Sequence, residues 1–134
     1  MVWGVEVADM DRRRTGALGE DLAVAHLERQ GYRVIDRNWR SGRRGEVDVV
    51  AIDPDPPPQG TIVFCEVKCR RGTGYGDPLE AVTEVKLRRL NGLACEWLRS
   101  HNLGWFDHVR LDAVGVLLLP GQDPVVKHRR GVTL

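Results

Sequence analysis

Two apolar, β-branched runs separated by a proline-rich stretch lead to neighbouring strands of one sheet: Glu46-Val47-Asp48-Val49-Val50-Ala51-Ile52 and Ile62-Val63-Phe64-Cys65-Glu66-Val67-Lys68. Side chains alternate between the faces of a strand, so Glu66 and Lys68 point one way while Cys65, Val67 and Cys69 point the other. By the same rule Glu46 and Asp48 share a face at the start of the earlier strand. Each strand therefore carries charge where its pattern calls for an apolar residue.

The segment Asp53-Pro54-Asp55-Pro56-Pro57-Pro58-Gln59-Gly60 cannot continue either strand, because proline removes a donor and fixes φ; it reads as a surface loop between neighbouring strands. Upstream, Tyr32 to Trp39 reads as a further strand, preceded by a helix that Thr15 caps and Gly31 ends. Residues 1–14 show no sustained period and read as a mobile or loosely packed N-terminal arm, leaving 15–134 as a single domain. Downstream, Asp77 as cap and Pro78 at the first helical position open a long helix to about Ser100. Val109 to Leu119 and Val125 to Val132 complete an order α-β-β-β-α-β-β: an α/β domain with a mixed β-sheet flanked by helices.

A length of 134 residues suffices for a core without staples. Three cysteines, Cys65, Cys69 and Cys95, with no secretory signal ahead of them, point to reduced thiols and a cytoplasmic location, and no run reaches membrane-spanning length. The formal net charge of +1 removes any bulk electrostatic argument for a polyanionic partner. The distribution says more: Arg33, Arg37, Arg40, Arg43 and Arg44 crowd one region, and Lys68, Arg70 and Arg71 follow the second charged strand.

Both helices carry an ion against their own pattern. Glu20 projects with Ala23, Val24 and Leu27, and Lys86 lies within the face formed by Leu79, Val82, Leu90, Leu93 and Trp97. Taken singly, Glu20 is also explained by the helix dipole, Lys86 by a snorkelling stem, and Asp48, Glu66 and Lys68 by a charged edge strand. Burying an unpaired ion costs several kcal/mol, on the order of a typical fold's margin, so the set asks for a common cause. Carboxylate oxygens at Asp48 and Glu66 suit magnesium (Mg2+) or manganese (Mn2+), and an adjacent Lys68 can orient a water or offset developing charge. An acid followed by acid-x-lysine is the layout expected of a metal-dependent phosphodiesterase.

Several ordered motifs bear on the same point: Thr15-Gly16-Ala17-Leu18-Gly19-Glu20, Gly31-Tyr32, Arg37-Asn38-Trp39-Arg40, Gly45-Glu46-Val47-Asp48-Val49-Val50, Phe64-Cys65-Glu66-Val67-Lys68-Cys69-Arg70, and Lys86. Together they resemble the YraN family of small bacterial proteins, and through it the PD-(D/E)xK restriction-endonuclease-like superfamily, near the Holliday-junction resolvases. The resemblance runs from about Thr15 to about Val116. It implies a restriction-endonuclease-like fold and a DNA endonuclease, acting on branched or structured DNA by the resolvase likeness. Asp48, Glu66 and Glu20 would hold the metal, and Lys68 would be the catalytic lysine. Lys86, Arg40, Arg43, Arg44 and Arg70 would meet nucleic acid, and Arg110-Leu111-Asp112 corresponds to a later Arg-Phe-Asp element. A homodimer is admitted by the same likeness, and the alternative is a non-catalytic nucleic-acid-binding protein of the same fold.

Overall fold

The structure, a computed structural model, describes residues 2–132 apart from 43, 73, 75 and 105, with the backbone alone described over 2–11. Helix α1 (Val2–Arg29) is followed by β1 (Arg33–Ser41), β2 (Gly45–Asp53) and β3 (Thr61–Arg71). A short 3-10 turn (Pro78–Ala81), helix α2 (Glu84–Ser100), β4 (Val109–Leu118) and β5 (Val125–Arg129) complete the chain. The sheet order is β1-β2-β3-β4-β5, antiparallel except for the parallel β3–β4 pair. The expected mixed sheet and element order are therefore what the chain forms. No helix among the described residues is long and apolar enough to cross a membrane.

The two faces of the sheet are covered by different helices. Phe64, Ile62, Val50 and Val47 pack with Leu90, Leu93 and Trp97 of α2. Val63, Cys65, Val49 and Ala51 pack with Leu27 of α1 and Tyr32, and Ala23 meets Val114 and Val116. Alternation along β3 thus holds as the pattern requires, with Phe64 on the α2 side and Cys65 on the α1 side.

Two helix starts differ from the sequence expectation. Helix α1 runs through Thr15, whose hydroxyl accepts from Arg71 Nε at 2.6 Å rather than capping. Nothing between Val5 and Arg14 breaks a helix, since the stretch holds neither proline nor glycine. The second helix is split. Asp77 accepts from the Leu79 N–H and caps only the 3-10 turn; Val82 is extended, and Thr83 caps α2 by accepting from the Lys86 N–H. Leu79 and Val82 therefore do not share a helical face with Lys86, whereas Leu90 and Leu93 do.

At its other end α1 stops as expected. The Tyr32 N–H donates to Leu27 O and the Gly31 N–H to Glu28 O, the paired bonds of a Schellman turn, with Gly31 at φ 90°.

Two glycines within α1 contrast sharply. A Cβ added to Gly19 would lie 2.5 Å from the Cβ of Cys69, whereas one added to Gly16 would meet nothing within 4 Å. Gly19 lets the helix axis approach β3, while Gly16 leaves open space. Gly16→Ala is therefore expected to raise stability by about 0.5–1 kcal/mol through helix propensity. Gly19→Ala is expected to lower it by about 1–3 kcal/mol through overpacking. Urea unfolding of the two variants checks both signs.

Candidate metal and phosphate site

Strands β2 and β3 pair from Asp53↔Thr61 up to Val49↔Cys65. Just beyond, the Asp48 side chain supplies the acceptor, its Oδ2 taking the Val67 N–H at 2.8 Å. At that point the close approach of α1 brings in Glu20, one residue after Gly19. Carboxylate oxygens of Glu20, Glu46 and Asp48 come within 4.8 Å of one another, an arrangement able to hold a cation. They line a cleft of about 500 Å3 together with Gly16, Val67 and Cys69.

Partners hold two of these acids in place. Glu20 Oε1 accepts from Arg37 Nε at 3.0 Å and Asn38 Nδ2 at 2.8 Å, and Arg40 Nε lies 3.1 Å from Glu46 Oε2. Asn38 adopts a left-handed φ of 52°, a conformation asparagine tolerates better than most residues, and it aims the amide at Glu20. Among the described residues, no cation forms an ion pair with Asp48. Burial, the Glu66 carboxylate and the further acids Glu46 and Glu20 push its carboxyl up to about 7, the Val67 N–H only partly opposing them.

Glu66 is buried on the α2 side of β3 in a different company. Arg89 NH2 lies 3.7 Å from its Oε1, and Lys68 and Lys86 are close enough to act on it electrostatically. Burial raises the Glu66 carboxyl against the pull of Lys68, Arg89 and Lys86. Burial and the adjacent Lys68 lower the Lys86 ammonium.

The expected site residues thus fall into two groups that meet at Asp48. Glu20 and Asp48 stand together with Glu46; Glu66 stands with Lys68 and Lys86, near enough to Asp48 to raise its carboxyl. Arg44 pairs with Glu96 at 2.7 Å, Arg40 with Glu46, and Arg70 lines a neighbouring cleft with Lys68. Arg43 lies outside the described residues. Sequence reading left Arg89 and Asn38 without roles and gave Glu46 no ligand role. Arg89 had a findable signal, being one turn from Lys86 on α2. The later Arg110-Asp112 element stands apart: Arg110 bonds Asp112, Asp53 and Tyr32 at the far end of the β2–β3 ladder. Trp39 packs against the α2-side core.

Comparison with known proteins fits the ordered motifs. The model of the Uncharacterised protein family UPF0102 matches residues 19–116. The chain belongs to this family. Similar relatives include the UPF0102 protein of Renibacterium salmoninarum, 48% identical over 87% of this chain and 93% of its own length. The UPF0102 protein of Rhodococcus opacus is 50% identical over 86% and 92%. That of Streptomyces coelicolor is 47% identical over 93% of both chains. The motif resemblance to the YraN family and this membership agree, and the family's matched span contains every acid and lysine of the site.

The elevated Asp48 carboxyl fixes a pH dependence. The fold favours its protonated form, so its contribution to stability is greatest below the ordinary value of 3.8 and declines as pH rises through about 7. Asp48→Asn keeps an oxygen for the Val67 N–H and removes the charge. Melting curves in chelator are expected to show the variant more stable than the parent at pH about 8, and a shallower fall between those values.

Proposed function

We propose that this chain is a metal-dependent phosphodiesterase that cleaves DNA, with structured or branched DNA as the substrate form to test first. The observation that carries the reading is the meeting of Glu20, Glu46 and Asp48 with Glu66-Val67-Lys68 where β2 and β3 cease to pair. Three clustered carboxylates suit a hard divalent ion, and burial first, with the neighbouring acids adding to it, raises the Asp48 carboxyl, a cost that a cation would relieve. Magnesium or manganese held by Asp48, Glu20 and Glu46, with Glu66 beside them, would polarise a phosphoryl oxygen and favour ionisation of a bound water.

The remaining work falls to the protein's own side chains. Lys68, on the strand that carries Glu66, would orient the attacking water and meet charge developing on the phosphate. Lys86 and Arg89, on the first turns of α2, place two more cations by Glu66 and would hold the non-bridging oxygens of the same phosphate. Arg37 and Asn38 would fix the Glu20 carboxylate in its working orientation.

A second reading, nucleic-acid binding without cleavage, has its own support: Glu20, Glu46 and Glu66 each already face an arginine, so the site is partly neutralised from within.

A cleavage screen separates the two. Linear, single-stranded and four-way-junction DNA are incubated with magnesium or manganese. Glu66→Ala and Lys68→Ala should each slow cleavage by roughly 100-fold or more. Cleavage that survives Glu66→Ala comes from a contaminant and sinks the enzymatic reading. Binding without cleavage under both metals favours the second.

A further inference from the structure

Gly16 is a residue without an internal reason. A glycine inside a helix costs about 0.5–1 kcal/mol relative to alanine, and it is usually kept where something approaches the backbone closely. Gly19 has Cys69 against it; Gly16 has no neighbour within 4 Å of where its Cβ would be. The space beside it is a second cleft of about 550 Å3 between α1 and the C-terminal end of β3. Arg12, Lys68, Arg70 and Arg71 line it, and no carboxylate does among the described residues. This cleft shares Gly16, Val67 and Cys69 with the acid-lined one, so the two form a continuous trough over one edge of the site.

The cations of the trough are unevenly used by the fold. Arg71 gives its Nε to the Thr15 hydroxyl, which places its guanidinium against α1. Arg70 leaves β3 on the face opposite Cys69 and its Nε is shielded from solvent, so the β3 guanidinium that the fold sets against α1 is that of Arg71. A phosphodiester chain has charge of the required sign at a regular spacing, and its neighbouring phosphates would fall on this wall when one phosphate sits at Asp48 and Lys68.

We propose that the trough between α1 and the end of β3 binds the sugar-phosphate backbone of a nucleic-acid strand flanking the reacting phosphate, with Arg12 and Arg71 as phosphate contacts. Gly16 is the clearance that lets the strand pass against α1. The inference rests on the phosphodiesterase reading for the location of the reacting phosphate, but not for binding itself. It assigns α1 a role beyond supplying Glu20. It also predicts recognition of backbone rather than base, because the groove offers guanidinium groups and no aromatic platform among its described residues.

The test is fluorescence anisotropy of the full chain in chelator, with labelled duplex DNA, single-stranded DNA and RNA, followed by cleavage with magnesium or manganese. Gly16→Glu and Gly16→Trp fill the clearance where the structure has room, and Arg71→Ala removes one phosphate contact. All three should weaken binding many-fold while circular dichroism and melting stay intact. Arg71→Ala should also reduce the slope of log affinity against log salt by about one. Arg99→Ala, on the exposed end of α2, should bind as the parent does. The proposal is overturned if the folded Gly16 and Arg71 variants bind as the parent does, even where the parent cleaves. It is also overturned if the parent binds none of the three probes. Trough-dependent binding with no metal-dependent cleavage upholds the trough and removes the hydrolytic reading.

Discussion

Helix α1 lies so near β3 that Gly19 has space for nothing larger than hydrogen beside Cys69, and the meeting of Glu20 with the acids of the sheet depends on that closeness. Glu20 comes next in the chain and is carried over the start of β2, where Glu46 and Asp48 stand. The Schellman turn at Gly31 then reverses the chain into β1, which returns Arg37 and Asn38 to the same carboxylate. One helix seat thus aligns an acid with the residues that orient it. Loosening the contact at Gly19 would displace Glu20 from its partners as well as costing packing energy.

The charges of the site form two groups that meet at Asp48, just beyond the last β2–β3 pair. On the α1 side, acids outnumber the cations that pair with them, and Asp48 is left with a single backbone donor. On the α2 side the excess is reversed, with Lys68, Lys86 and Arg89 around Glu66. Asp48 and Glu66 are the members most withdrawn from water; Asp48 has no paired cation among the described residues, and the Arg89 beside Glu66 is itself half-exposed, so each excess is only partly compensated by the fold. A cation among the acids, with a phosphate held against the adjacent lysines where the two groups meet, would relieve both, which is the combination a metal-assisted phosphoryl reaction brings together.

Much of this was legible from residue order. The alternation in β3 located Glu66 and Lys68, and the Glu20 offset from Ala23 and Leu27 located the face of α1 that covers the sheet; in β2 alternation breaks, Val47 and Val50 both lying on the α2 side, so the turn of Asp48 toward Glu20 was not legible. What escaped had physical reasons. The break at Val82 and Thr83 was hidden because Asp77-Pro78 is a valid start signal that happens to open only a 3-10 turn. The continuation of α1 before Thr15 was hidden because threonine caps and interior threonines look alike without their partners. Glu46 was visible as a charge, but its approach to Glu20 depends on a long-range seat that no local pattern encodes. Asn38 needed its left-handed backbone to become meaningful.

Two carboxylates on the α1 side show how structure and function divide the molecule. Asp112 is completely buried, and burial alone would raise its carboxyl; His128, Arg110 and the Gly131 N–H together hold it below the ordinary value instead. Arg110 ties the same group to Asp53 and Tyr32, closing one end of the sheet with its polar atoms satisfied. Asp48 is also largely withdrawn from water, but it receives one N–H and neighbouring negative charge, and its carboxyl rises. Burial is common to both, so the partners decide the direction of the shift. A buried aspartate with a full set of donors locks the fold; one left short of donors, among other acids and beside an open cleft, is where an incoming cation gains most.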